Sequence, residues 1–392
     1  MSTFVSGPIN TVRLEGQVGN INKVLYLFFD DHRDVSYQSE CPDIRAIEFK
    51  NYLIKNFDKT EQKIDFFMET YTIYGVFSTY TKYALQRKGN YLDTIRKFFQ
   101  QNFNFDKETN KIHTSKEFPN VRLHYIDFRD LFFYDILFDK LPSIRNYFDT
   151  YCWNNRYIIS QDIHFFQKEL KYIDDRVNFL KQYIYSGKKF EGQKSPATEL
   201  FDKIMNKVMN VYQNKDIHNK IKKYFKNEGV QIFEKYEKES TEFFNYLNFL
   251  DKKIKKNPND KLNDINGYGL NIYKVVDEYL PTIWKSIYDI RSCIFDISVF
   301  IIDIFFLRRF LDKSYITNAL IYTGAAHSCN YLYFLVKYCD FKITHTSYQK
   351  IPSEKLHNII KESNNYTELI KYMSPQEFVQ CSNLTGFPEQ FA

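Results

Sequence analysis

The chain carries no P-loop, no Gly-x-Gly-x-x-Gly, no His-Glu-x-x-His and no Gly-x-Ser-x-Gly. Common nucleotide-binding, zincin and serine-hydrolase readings therefore have no motif behind them. Its cysteines (Cys41, Cys152, Cys293, Cys329, Cys339 and Cys381) include no Cys-x-x-Cys pair, which argues against a zinc ribbon or a thioredoxin-type motif. No disulfide framework is evident, and Met1-Ser-Thr-Phe4 does not open a signal peptide. An intracellular, reducing location is expected on those grounds. Charge of one sign is also missing. Against 54 basic residues stand 48 acidic ones, a net charge of +6. The densest basic stretch (Lys215, Lys220, Lys222, Lys223, Lys226) contains Asp216 and reads as a solvated helix face, so no nucleic-acid partner is expected. The most apolar stretch, Cys293 to Leu307, is broken by Asp296 and Asp303 and closed by Arg308-Arg309. A spanning helix needs about 20 apolar residues, and a central Asp costs roughly 2.5 to 3.5 kcal/mol. This segment therefore reads as a buried core helix, and no transmembrane segment is expected.

Glycine (12) and proline (10) are scarce, whereas Phe (38) and Tyr (32) abound across all 392 residues. The Phe, Tyr, Ile, Asn and Lys bias runs throughout and points to an AT-rich genome rather than to a local stacking surface. The length suffices for a sizeable core in one large domain or two.

Four short apolar runs carry the functional signal. Lys23-Val-Leu-Tyr-Leu-Phe-Phe-Asp-Asp-His32 and Asn318-Ala-Leu-Ile-Tyr-Thr-Gly-Ala-Ala-His327 end in histidine. Ile64-Asp-Phe-Phe-Met-Glu69 and Val121-Arg-Leu-His-Tyr-Ile-Asp127 end in a carboxylate. Runs with little polar alternation fit strands buried on both faces, as in a parallel sheet covered by helices. Such sheets place ligands beyond the carboxyl ends of their strands, so the four runs predict one shared site.

The order of these signals predicts an α/β fold: a mainly parallel central sheet flanked by helices, with a large helical insertion between the N- and C-terminal strand regions. Residues 1–140 and 312–392 would form the two parts of the core and 141–311 the insertion. Within the insertion, Phe201, Ile204, Val208 and Val211 lie on one helical stripe. Soft connectors are expected at Ser186 to Pro196 and from Lys255 to Gly269. Further helices are expected around Tyr80 to Phe99, from Ser328 to Tyr338 and at the capping box Ser374-Pro-Gln-Glu377, with a last strand at Phe341 to Thr346.

His32 stands among Asp30, Asp31 and Asp34, a setting for a metal ligand with carboxylate support or for a base of raised pKa; a loop histidine beside solvated aspartates is the plain alternative. In Gly324-Ala-Ala-His327 the glycine lets the chain turn tightly out of a strand, and the small residues leave space before whatever His327 faces. Glu69 is either a ligand or general base or a solvated strand-end carboxylate. Asp127 either pairs with Arg129 at the same edge or caps the next helix. Of Arg308 and Arg309, one is placed to bind a substrate carboxylate or a polarised oxygen.

At these residues the chain resembles the broad superfamily of TraB/TIKI proteins, erythromycin esterases and ChaN-like proteins. There an early strand carries Gly-x-x-His, a second ends in Glu, a later helix supplies Arg, and a late Gly-x-x-His follows. Asp30-Asp-His32, Glu69, Arg309 and Gly324 to His327 match that order, with Phe29 replacing the early glycine. The arrangement also resembles a group of uncharacterised giant-virus proteins. The resemblance implies an α/β fold and a hydrolase-like activity on a small-molecule or peptide substrate, whether peptidase or esterase. Catalytic residues would be Glu69, His32, His327 and Arg309, with Asp127, Arg129 and Gly324 toward substrate. In the TIKI branch a divalent metal ion (Mn, Co or Zn) is implied, with His32, His327 and Asp30 as ligands here; otherwise no cofactor is expected. The alternative is a catalytically inactive viral interaction protein that keeps the fold, in host cytoplasm or virion.

Overall fold

The computed structural model describes residues 3–32, 41–71, 91–103, 105–106, 111–112, 114–133, 135–155, 157–187, 196–256, 261–262, 272–376 and 379–391. The early part of the expected helix at Tyr80, most of both soft connectors and Glu377 lie outside them. The chain forms two compact units, one of residues 1–128, 210–224 and 302–392, the other of residues 129–209 and 225–301. Residues 210–224 and 302–311, counted with the insertion from the sequence, thus belong to the first unit.

In chain order, β1 (Phe4–Ser6), β2 (Asn10–Val18), β3 (Ile21–Asp30), β4 (Ile47–Glu48), α1 (Phe49–Phe57), β5 (Ile64–Tyr71), α2 (Tyr91–Asn102) and β6 (Val121–Asp127) come first. Then follow α3 (Leu141–Tyr147), α4 (Ser160–Ser186), α5 (Pro196–Asn210), α6 (Lys215–Tyr224), α7 (Val230–Lys255) and the long α8 (Ile272–Asp312). The chain closes with β7 (Asn318–Gly324), α9 (Ala325–Cys339), β8 (Lys342–Thr346), α10 (Ser353–Glu362), α11 (Thr367–Met373) and β9 (Cys381–Asn383). No helix starts at Ser374, because α11 ends one residue earlier and the chain leaves it extended. Among the described residues no helix is long and apolar enough to cross a membrane.

The central sheet has the order β8-β2-β3-β7-β5-β6. The four runs singled out from the sequence are β3, β7, β5 and β6, adjacent and all parallel. The expectation of a mainly parallel sheet fails at the other edge, where β2 and β8 are antiparallel, so the sheet is mixed. The physical reason is local. Val18 pairs with Ile21 across a two-residue turn, and Gly19 supplies the φ of +60° such a hairpin needs. Val12, Leu14 and Val18 alternate with polar residues in the period of a half-polar strand.

Alternate residues of the parallel strands face opposite ways. Tyr26, Phe28, Phe66, Met68, Leu123, Tyr125, Leu320 and Tyr322 join one buried cluster with α1, α2 and the terminal Phe391. On the other face Phe67 meets Phe306 of α8 at 4.9 Å, and Phe306 meets Tyr331 of α9 at 4.5 Å. A smaller three-stranded sheet, β9-β1-β4, is joined by two short ladders. Here Cys41 and Cys381 form a disulfide with Cα atoms 5.2 Å apart. The sequence showed no disulfide framework, and this bridge corrects that reading: partners 340 positions apart leave no spacing signal.

At the amino-terminal rim of the strands, Lys23 is buried and donates to the carbonyls of Phe310 (2.9 Å), Lys313 (2.8 Å) and Ile316 (2.5 Å), closing the end of α8. Burial lowers its pKa to about 8, against the attraction of Asp65 and Asp312. Asp65 accepts from Arg122 Nε at 2.9 Å and lies 2.6 Å from His124 Nε2. Burial pushes His124 down to about 4; Asp65 opposes this and the Arg309 and Arg122 charges add to it. A folded pKa below the unfolded value near 6.5 means the unfolded chain takes up the proton first. The contribution of His124 to stability is therefore complete above pH 6.5 and is lost as pH falls toward 4. Thermal melts across that range should show a declining Tm, flattened in His124→Gln; an equally steep decline in the variant would overturn the assignment.

Candidate active site

The carboxyl ends of β3, β5 and β7 meet at one rim, where Gly324 pairs with Asp30 and Tyr322 with Met68. β3 ends in Asp30, and the chain turns sharply so that His32 takes φ +53°, in the left-handed region. Asp30 Oδ2 makes that turn favourable, accepting the His32 backbone N–H at 3.1 Å and facing its ring Nδ1 at 2.5 Å. The other Asp30 oxygen accepts from Tyr322 Oη at 2.7 Å and Gln380 Nε2 at 3.2 Å. Asp30 is thus a fully engaged backing carboxylate behind His32.

β5 delivers Glu69, buried at 4% exposure. One of its oxygens accepts the Gly324 N–H at 3.0 Å and lies 3.3 Å from His32 Nε2; the other lies 3.7 Å from His327 Nε2. The Glu69 backbone carbonyl accepts from Arg96 Nε of α2 at 2.7 Å, which pins the strand end that carries the carboxylate.

β7 passes straight into α9 at Gly324, not at Ser328 as expected, so His327 lies in the first turn of the helix. Its Nδ1 is 2.6 Å from Asp303 Oδ1 of α8, and Asn330 Nδ2 donates to the other Asp303 oxygen at 2.7 Å. The Tyr224 hydroxyl donates to the side-chain oxygen of Asn330. Asp303 is completely buried, which raises its carboxyl pKa, opposed by His327 and its hydrogen-bond donors. Two carboxylate–imidazole pairs, Asp30–His32 and Asp303–His327, therefore converge on Glu69 from opposite sides.

The three groups differ in access. The side chains of Glu69 and His327 are 5% and 4% exposed, that of His32 is 39%, so solvent reaches the centre on the His32 side. Burial works against a charged His32 ring. The Glu69 charge, with hydrogen bonds that the ring donates to Asp30 and Glu69 and the Asp30 charge, outweighs that cost and raises the imidazole to about 10.

The structure brings together His32, Glu69, His327, Gly324 and Asp30 from the sequence candidates. Asp127 ends β6, fully buried and within electrostatic reach of Tyr331, as Glu69 and Asp303 are. Arg129 belongs to the second unit, where it lies over the Phe295 ring at 5.9 Å. Arg308 donates to the Val211 carbonyl and stacks on Tyr212 at 5.3 Å. Arg309 stands where its charge acts on His124, the imidazole bound to Asp65 at the start of β5. Sequence reasoning missed Arg96, Tyr322, Gln380, Asn330 and Asp303. Only Asp303 had a visible signal, a carboxylate inside an apolar helix, and it was read as an argument against a membrane span.

Fold and site define a mixed α/β protein with a carboxylate–imidazole centre at the ends of parallel strands. The chain matches a family of unknown function, DUF5847, over residues 3–392, and it belongs to that family. It is 31% identical to the uncharacterized protein R161 of Acanthamoeba polyphaga mimivirus over 430 aligned residues, covering 99% of this chain and 98% of that one. Protein R706 of the same virus is likewise 31% identical, covering 100% and 97%. The likeness to giant-virus proteins therefore holds, while these matches give no support to the TraB/TIKI, erythromycin-esterase and ChaN-like assignment. No solved structure matches the chain significantly.

Gly324 has φ −54°, which any residue adopts, so the turn itself does not require glycine. What requires it is space: a Cβ there would stand 2.8 Å from His32 Nε2. Gly324→Ala should keep the fold and push the His32 ring off Glu69, lengthening the 3.3 Å separation in a crystal structure of the variant. An unchanged ring position would refute this role.

Proposed function

We propose that this protein is a hydrolase, acting on an ester or peptide bond, with its reaction centre at Glu69 between His32 and His327. The observation that carries this reading is the pair of carboxylate-backed imidazoles whose Nε2 atoms face one buried carboxylate. Glu69 takes the proton of an attacking water. The exposed His32 imidazolium, backed by Asp30, stabilises the negative charge that develops on the substrate oxygen and returns a proton to the leaving group. His327, held by Asp303, presents its Nε2 3.7 Å from the second Glu69 oxygen. Arg309 has no place in this scheme, since its described neighbours lie around His124.

Among the described residues no group of three or more His, Cys, Asp or Glu is arranged to hold a metal ion, so a divalent cation such as Mn, Co or Zn would need this site to draw together around it. Both Nδ1 atoms are tied to carboxylates, the outer partners that orient metal-binding histidines. His32 Nε2, His327 Nε2 and the Glu69 carboxylate would hold the ion, with Asp30 one step behind. A bound cation would polarise the scissile carbonyl.

A second reading, a non-catalytic viral interaction protein in host cytoplasm or virion, draws on the second unit. There Trp284 and Tyr288 of α8 are 48% and 57% exposed and stack 5.7 Å apart, an unusual display for aromatic side chains of this size.

Purified protein should hydrolyse members of a panel of activated esters and short peptides, assayed with and without added Mn, Co or Zn. Glu69→Gln and His32→Ala should each lower kcat/KM by roughly 100-fold or more, the range of a lost acid or base. Elemental analysis should find metal that His327→Ala loses. Variants as active as the parent, or no turnover across the panel, would overturn the hydrolase reading in favour of the second.

A further inference from the structure

We propose that Gln380 is a positioning residue for the Asp30–His32 pair, and that the Cys41–Cys381 disulfide beside it places the site under thiol control. This rests on the reading of His32 and Glu69 as a reaction centre.

The side chain of Gln380 is buried at 1% exposure and its amide donates to Asp30 Oδ1 at 3.2 Å. With Tyr322 on the same oxygen, it fixes the carboxylate whose other oxygen sets both the turn at His32 and its ring. Gln380 comes from the far end of the chain, so its position depends on how that segment is held. Its carbonyl accepts the Gly7 N–H at 3.0 Å, and Cys381 next to it starts β9, paired antiparallel with β1 as Ser6↔Cys381. β4 pairs with the other edge of β1. Cys41 precedes β4, so the disulfide ties the two outer strands of this small sheet to each other across β1. β9 itself is three residues long, too short a ladder to hold a segment rigidly by backbone bonds alone.

The remaining thiols leave the bridge as the one redox-responsive feature among the described cysteines. Cys152, Cys293, Cys329 and Cys339 are all buried and free. Burial raises the Cys293 thiol to about 11 and the Cys339 thiol to about 12, and pushes Cys152 and Cys329 up as well. Buried, protonated thiols are poor nucleophiles and do not exchange with the bridge. Cys41 and Cys381 are partly exposed, within reach of a small thiol. Reduction needs two equivalents of a low-molecular-weight thiol. The first thiolate attacks one sulfur and releases the other as a thiolate, which takes a proton. The second cleaves the mixed disulfide, leaving two cysteine thiols and one oxidised thiol dimer. Loss of the bridge frees Gln380 to leave Asp30, and His32 loses its fixed orientation.

The test uses the full-length protein, oxidised and then treated with glutathione. Alkylation followed by peptide mapping should label no cysteine in the native oxidised protein, and Cys41 and Cys381 alone after thiol treatment. Hydrogen exchange of peptides covering residues 24–32 and 379–384 should speed up on reduction. A Cys41→Ser/Cys381→Ser variant should show the fast exchange from the start, with no response to thiol. Gln380→Glu, equal in shape but repelled by Asp30, should lower kcat by roughly 10-fold with KM unchanged, the scale of a lost outer-shell partner. Alkylation of both cysteines in the oxidised protein, or exchange at residues 24–32 indifferent to reduction, would overturn the proposal. Because exchange and alkylation need no substrate, a chain that hydrolyses nothing but responds to thiol in this way would sink the hydrolase reading and leave the coupling standing.

Discussion

The arrangement of the first unit hangs on the charge balance at Glu69. A carboxylate taken to 4% exposure is costly unless donors and opposite charge surround it. Here the Gly324 N–H, the His32 ring and, further off, the His327 ring supply that surrounding. Each imidazole is in turn held from behind by a second carboxylate, and those carboxylates by Tyr322 and Gln380 on one side and by Asn330 on the other. Removing one partner of such a buried network strands the charge of another. The site is therefore built as a unit rather than as separate residues.

That unit explains otherwise unconnected features of the fold. β7 lies between β3 and β5 because the Gly324 backbone must present its N–H to Glu69 and leave room for the His32 ring. α8 carries Asp303 deep among Ile, Phe and Val side chains because it must reach His327. α2 binds the carbonyl of Glu69 through Arg96, fixing the end of β5 from outside. At the opposite rim the charges are quenched differently. Asp65 is engaged by Arg122 and His124, and Lys23 by backbone carbonyls. Among the described residues there, no carboxylate stands with an imidazole on each side, as Glu69 does at the carboxyl rim.

The Cys41–Cys381 bridge and the Gln380 contact connect the termini of the first unit to this rim. Tyr322 and Gln380, both from the late part of the chain, thus act on one carboxylate, Asp30. A network assembled from distant segments is sensitive to anything that loosens one of them.

The sequence by itself determined the parallel quartet of strands and the company of His32, Glu69 and His327. Continuous runs of bulky apolar residues suit only strands covered on both faces, and polar residues at their ends must then gather at a rim. It did not determine the antiparallel β2 and β8, since one alternating strand reads the same at an edge as in the middle of a sheet. Nor did it place the arginines: the helix period turns Arg308 and Arg309 about 100° apart, but does not say which neighbour each one meets. The partners Asp303, Tyr322, Gln380 and Arg96, and the bridge between Cys41 and Cys381, were decided by tertiary structure alone. Their interactions join residues far apart in the chain, and only packing brings such residues within hydrogen-bond or disulfide distance.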